Sequence, residues 1–363
     1  MIPDCTLVTA SFDLTKYNSH SRDLNESINK ISSLLEVPCY LIIFTDIIMY
    51  PYIKNKRHEY SLDKLTHYII IDVENLENFK YIEIVKKNRE KYHPTKDERT
   101  CAESHIICCS KFKLVLESIK LNPFNTKKFG WIDANIGVNF SKISTNYKNN
   151  MLLNILNNCS ENKFHLQILN VCNKDLIKEE NLREYYKEYR WIVCGCLFIS
   201  GKELGITILT ELNNIFIKHT LLGYGHGEEM FYQEILDKYY NEIERSYGDY
   251  QHILNNFINI NVGLEYILNI SNMYLMYKYY RECIDCCSKV IKRYENFEIE
   301  INYGIYFNFL LNLYIALYYF DKNESKELVL KIKNLIEINP YIKKIYSLND
   351  DFYESQFKYA FFE

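Results

Sequence analysis

From residue 1 to about 255, short apolar runs alternate with amphipathic stretches. Cys5–Phe12, Cys39–Asp46, His67–Val73, Phe129–Ala134 and Trp191–Ser200 are nearly continuous in apolar and β-branched residues. That texture predicts strands covered on both faces. Between them, Asn25–Leu35, Glu103–Leu121, Gly201–Leu222 and Glu228–Ile243 carry the spacing of amphipathic helices. Strands alternating with helices predict an α/β domain built on a mostly parallel sheet.

Beyond residue 261 the strand pattern stops. Positions 262–294 predict two helices joined near Tyr277–Tyr280, and a second pair is expected over Tyr303–Phe320 and Ser325–Ile338, ending at Pro340. The spacing of aromatic and small residues is loosely that of a tetratricopeptide repeat, whose unit is about 34 residues. The expected division is therefore an α/β domain over 1–257 and an all-α, helical-repeat-like domain over 261–363. A plain helical subdomain is the other reading of the tail.

Bulk composition narrows the function. The 363 residues carry a formal net charge of −4, so nucleic acid is not expected as the partner. Twelve cysteines are scattered, several inside apolar runs, where a free thiol behaves as a small hydrophobe. The opening MIPDCTLVTASFDL has no basic n-region and runs straight into a strand pattern. The longest apolar stretch, Phe307–Phe320, is too short to span a bilayer. A reducing, cytoplasmic location without a membrane span is the expectation. Cys283 and Cys286 form a C-x-x-C, but no second Cys or His pair follows to complete a four-ligand zinc site. The 33 tyrosines, with abundant Ile, Asn and Lys, reflect codon bias rather than function.

Candidate chemistry gathers at strand ends, where open α/β sheets bind ligands. The first strand ends in Thr9, Ala10 and Ser11, the second in Thr45 and Asp46, and the fourth in Asp133 and Asn135. A carboxylate and a carboxamide two residues apart can share one hard cation, or can simply close an Asx turn. In YGHGEEMF, alternating glycines precede Glu228 and Glu229. Such a pair can act as a general base, or can favour a helix start through the helix dipole. Asp249 and His252 lie one helical turn apart, and His252 is a candidate third metal ligand. Lys111 and the cluster Lys54, Lys56, Arg57 are candidate phosphate contacts, or solvated cations.

The stretch Cys101–Gly137 resembles the bacterial HtrL/YibB family. The resemblance rests on Ser110, Lys111, Val115, Ile119, Asn122, Pro123, Phe124 and the strand end Trp131, Ile132, Asp133, Ala134. TLVTASFDL, FTD with Arg57, GHGEEMFYQEIL and YGDYQHILNNF extend it, in order, over about residues 5–257. One departure is Asn135, where the family usually has glycine. The family looks like a GT-A-type glycosyltransferase fold, mostly without assigned substrates. The resemblance thus implies transfer of a sugar from a nucleoside-diphosphate donor to an acceptor it does not name, whether glycan, protein or small molecule. In that scheme Thr9, Ala10, Asp46, Arg57 and Lys111 would bind the donor. Asp133, Asn135 and His252 would hold Mn²⁺ or Mg²⁺, and Glu228 or Glu229 would act on the acceptor. The rival reading is a non-catalytic interaction protein with a degenerate transferase fold, whose C-terminal helices bind a protein partner. A nucleotidyl or phosphosugar transferase is disfavoured by the absence of a G-x-G-x-x-G or P-loop stretch.

Overall fold

The computed structural model describes residues 2–91, 97–136, 149–224, 227–257, 263–296, 298–320 and scattered positions from 328 to 340. The chain divides into two compact units, Met1–Ser246 with Tyr250–Ile258, and Tyr247–Asp249 with Asn259–Glu363.

The first unit is α/β. Its sheet has seven strands: β1 Cys5–Ser11, β2 Tyr40–Thr45, β3 Thr66–Ile70, β4 Lys128–Ile132, β5 Phe164–Ile168, β6 Leu197–Gly201 and β7 Ile243–Tyr247. Their spatial order is β3-β2-β1-β4-β6-β5-β7. Strands β1 to β4 run parallel, while β6 runs against both β4 and β5. The chain thus walks outward from β1 to β3, then returns to place β4 on the other side of β1. That reversal of direction is the topological switch point, where the carboxyl ends of β1 and β4 open a crevice. Leu7, Ile43, Ile132 and Ile199 are fully buried, each worth roughly 1.5–3 kcal/mol of apolar burial.

Helix α1 spans Leu24–Leu35, and its N-cap Asp23 accepts a 2.8 Å hydrogen bond from the Glu26 amide. Helices α2 (Tyr50–Glu59), α3 (Ile82–Lys91) and α4 (Ala102–Leu121) follow. Cys101 and Ser104 cap α4 reciprocally. Asn122 ends it in the left-handed region at φ 36°, and Pro123 forbids its continuation. The Asn122 side chain then grips the Thr126 backbone, donating to its carbonyl at 3.2 Å and accepting from its amide at 3.0 Å. Phe124 stacks on Tyr40 with ring centroids 4.7 Å apart. The Asn-Pro-Phe element therefore turns the chain from α4 into β4.

Two expected elements change. Only Leu197–Gly201 of the run Trp191–Ser200 is strand. Residues 191–196 instead cross the rim of the sheet, tied by the Asp133 amide donating to the Cys196 carbonyl at 2.9 Å. Glu228–Ile243 is not one helix but a 3₁₀ turn, Glu228–Met230, then the short helix Gln233–Lys238. Strands β5 (FHLQI) and β7 (IERSY) were not legible, because each has only five residues and neither is a continuous apolar run.

The second unit is helical where described, with Leu264–Met276, Tyr280–Glu295 and Tyr303–Phe320. The turn falls at Tyr277–Tyr279, within the expected Tyr277–Tyr280, with Lys278 at φ 61°. Cys283, Cys286 and Cys287 are fully buried in the apolar core of this unit. Asn312 donates to Ser271 Oγ at 2.8 Å and Asn272 Oδ1 at 2.6 Å, so a buried amide is paired across two helices. Most of Ser325–Ile338 lies outside the described residues.

Candidate active site

At the switch point, α4 runs beneath the rim. Its residues Ser104, Cys108 and Lys111 share one face by their i, i+4, i+7 spacing. They line two adjoining cavities of about 250 and 300 Å³ that share Ser104, Cys108 and Asp133 as a wall. The first holds Arg22 and Lys30 from the α1 region, Lys111, and the β1 end with Ala10 and Ser11. Asp133, Ala134 and Asn135 complete it at the end of β4. The second holds Glu228, Glu229, Tyr189, Trp191 and Arg89. One chamber is cationic and the other is rich in carboxylate and aromatic groups.

Lys111 joins them. It is 1% exposed, and burying an ammonium that deeply requires partners. Its Nζ donates to Glu228 Oε1, to the Gly195 carbonyl at 2.8 Å and to Asp133 Oδ1 at 3.4 Å. It also lies 5.5 Å from the centre of the Trp131 ring, whose Nε1 donates to Asp133 Oδ1 at 2.5 Å. Burial works to strip its proton, but the Asp133 and Glu228 carboxylates outweigh that and hold the ammonium well above its ordinary range. Burial, then repulsion from Glu229, push the Glu228 carboxyl up to about 8 against the pull of Lys111. The two shifts share one origin: three carboxylates crowd a single ammonium away from water, and the excess charge is relieved by retaining a proton.

Two close approaches need glycine. A Cβ on Gly195 would stand 2.7 Å from Glu228 Oε1, and one on Gly227 would collide with the Tyr189 hydroxyl. Gly195 reaches the rim because β6 runs opposite to β4, so the segment entering β6 arrives at the end where β4 leaves. The Tyr189 hydroxyl donates to Glu229 Oε2, and burial with the neighbouring carboxylates raises the phenol's pKa well above its usual value.

The expected site residues separate here. Ala10, Lys111, Asp133 and Asn135 line the cationic cavity, and Glu228, Glu229 and Asp133 line the other. Thr9 is fully buried in β1 and lines neither. Asp46 closes a turn, accepting from the amides of Asp13 at 2.5 Å, Met49 at 2.8 Å and Ile48 at 3.0 Å. Arg57 is corrected from ligand contact to scaffold. It is 0% exposed and donates to the carbonyls of Leu35, Val37 and Cys39 and to Thr66 Oγ1, so its guanidinium is consumed within the fold. His252 is buried and lines neither cavity. Arg22, Lys30, Tyr189 and Gly195 were missed. Of these only Gly195 left a legible signal, a glycine inside an apolar run.

Asp133 and Asn135 line the same cavity and carry side-chain oxygens, the donor type that a hard divalent ion takes. An all-protein cage does not fit: among the described residues no group of three His, Cys, Asp or Glu is placed to hold a metal.

Among the described residues no helix is long and apolar enough to cross a membrane. No curated protein matches the sequence. Among solved structures, the chain is similar to the crystal structure of mouse xyloside xylosyltransferase 1 in its apo form. The similarity covers 70% of this chain and 93% of that one, at 11% identity and a TM-score of 0.34. The family described as bacterial protein of unknown function (HtrL_YibB) matches residues 3–224, and the chain belongs to that HtrL/YibB family.

Proposed function

We propose that the chain is a glycosyltransferase of GT-A type that takes a nucleoside-diphosphate sugar as donor. The observation that carries this reading is the pair of adjoining cavities at the switch point, one cationic and one carboxylate-lined, with Asp133 in the wall between them. A diphosphate suits the first. Arg22, Lys30 and Lys111 supply its positive charge, while the small side chains of Ala10 and Ser11 would leave room for a flat base or a ribose. A divalent ion held by Asp133 and Asn135 would supply Lewis-acid stabilisation of the leaving diphosphate.

The acceptor hydroxyl would enter the second chamber. In an inverting displacement its oxygen bonds to the anomeric carbon as the bond from that carbon to the diphosphate oxygen breaks. A carboxylate takes the hydroxyl proton. Glu228 Oε1 is already bound to the Lys111 ammonium. We therefore assign the base to Glu229, steadied by the Tyr189 hydroxyl, and give Glu228 the task of holding Lys111.

The test is calorimetry with a panel of sugar nucleotides plus Mn²⁺, comparing the wild type with Asp133→Ala. Binding by the wild type that the variant loses supports the reading. If no nucleotide binds the wild type at millimolar concentration, the reading fails.

A further inference from the structure

We infer that the carboxylate chamber receives a pyranose ring, so that the acceptor is itself a saccharide whose terminal sugar lies against Trp191. This names the acceptor class of the proposed transferase and rests on that reading.

Three observations carry it. First, the indole of Trp191 is 53% exposed and Tyr250 is 38% exposed, and both line the wall of a half-open cavity. Such half-wet aromatics are characteristic of surfaces that take an amphipathic partner. A pyranose is one, with an apolar C–H face and a rim of hydroxyls. Second, the platform is fixed in advance. Trp191 packs edge-on against Tyr189 with centroids 4.7 Å apart, and Tyr189 is in turn bonded to Glu229. Gly227 makes that arrangement possible by carrying no Cβ against the phenol. The aromatic face and the proposed base are therefore positioned by the same side chain, which would set a stacked ring's hydroxyl beside Glu229. Third, the polar lining is mixed. Carboxylates alternate with the hydroxyl-bearing Thr100 and Tyr189 and with the Arg89 guanidinium, which donates to Thr100 O and Oγ1, each at 3.2 Å. Sugar hydroxyls both donate and accept, so they suit such a lining. A cationic ligand would gain the carboxylates but meet Arg89. The cavity of about 300 Å³ is at the low end for small-molecule sites and suits one ring.

The chain has two tryptophans, and Trp131 is 3% exposed, so solvent-sensitive emission reports Trp191. The full chain, with a nucleoside diphosphate and Mn²⁺ present, is titrated with methyl β-glucoside, methyl β-galactoside and methyl β-N-acetylglucosaminide. Emission, acrylamide quenching and saturation-transfer NMR are followed. The expected result is that at least one glycoside shifts the emission to the blue and shields Trp191 at millimolar concentration. Trp191→Ala should weaken binding roughly tenfold, while Trp191→Phe keeps most of it by saturation transfer. The inference is overturned if no glycoside alters the wild-type signals, or if lysine methyl ester alone does so. Nucleotide binding is read separately by calorimetry. Nucleotide binding without glycoside binding defeats this inference alone, and glycoside binding without nucleotide defeats the donor assignment alone.

Discussion

Lys111 and Glu228, 117 residues apart in sequence, form a buried ion pair that joins the middle of α4 to the turn after the glycine loop. The ammonium also meets Gly195 and Asp133, so one side chain ties together α4, the end of β4 and the segment entering β6. Removing it leaves Asp133, Glu228 and Glu229 facing one another without compensation. Lys111→Met should therefore lower stability by about 3–5 kcal/mol above about pH 8, where Glu228 is ionised, the usual cost of orphaning a buried charge. Adding Glu228→Gln should restore much of that loss, because the orphaned carboxylate is gone. A denaturant-melt double-mutant cycle measures the coupling. Additive losses would show that the pair is not a unit.

The same pair sets a pH dependence. The Glu228 carboxyl is held up to about 8 in the fold, against an ordinary value of 4.5. Between those values the native state keeps a proton that the unfolded chain releases, so stability falls as pH rises. The contribution is fully present below about 4.5 and is lost as pH climbs through about 8. Melts of the wild type and Glu228→Gln across pH 5–8 should diverge with a slope of at most about 1.4 kcal/mol per pH unit. Parallel curves would remove the proton from Glu228.

How much of this was legible depended on whether a residue's partners are local. Runs covered on both faces announced the central strands, and the Asn-Pro-Phe and Trp-Ile-Asp-Ala segments announced the rim. Asp133 and Lys111 follow from those segments and sit on one cavity wall. Arg57 and Asp46 misled because a charge near a strand end reads alike whether it meets a ligand or main chain. Arg57 spends its donors on three carbonyls 18 to 22 residues upstream, and nothing in its own neighbourhood reveals that. Gly195 was hidden for a topological reason. Its role exists only because β6 is reversed, and strand direction is not written in a run of apolar residues.

Arg22 and Lys30 offer a test that separates ligand contact from scaffold. Both line the cationic cavity, and within the fold each pairs with Glu26, at 3.3 and 4.0 Å. Partly exposed pairs of this kind contribute little to stability, about 0.2–1 kcal/mol each. Arg22→Ala and Lys30→Ala should leave melting nearly unchanged. Each should weaken nucleoside-diphosphate binding roughly tenfold and flatten its salt dependence. Calorimetry at two ionic strengths measures both. Unchanged affinity would move the diphosphate elsewhere.

Arg57 should behave in the opposite way. Its truncation would take the guanidinium from the carbonyls of Leu35 and Cys39 in a dry environment, at about 1–3 kcal/mol per group, and leave Val37 with the Cys39 amide alone. Arg57→Ala should lower the melting temperature sharply, and Arg57→Lys should not rescue it, because an ammonium cannot reproduce the planar fork. Nucleotide affinity, measured at a temperature where the variant stays folded, should not change. A variant that melts normally but loses nucleotide would return Arg57 to the ligand.

Glu228 and Glu229 are adjacent in sequence, yet the structure gives them different work, and their amides should fail differently. Glu229 lines the chamber and is bonded to a phenol, whereas Glu228 Oε1 is bonded to an ammonium. Glu229→Gln keeps the shape and the tyrosine contact but cannot take a proton. It should cut the turnover of sugar transfer about 10²–10⁴-fold, the usual contribution of general base catalysis, with donor affinity unchanged. Glu228→Gln frees the ammonium from one carboxylate and shifts it toward Asp133. Its main effect should fall on donor affinity and on the pH profile of stability. Steady-state kinetics paired with donor calorimetry tell the two apart. If Glu228→Gln abolishes turnover while Glu229→Gln does not, the base is Glu228, and the bond to Lys111 must open during each catalytic cycle.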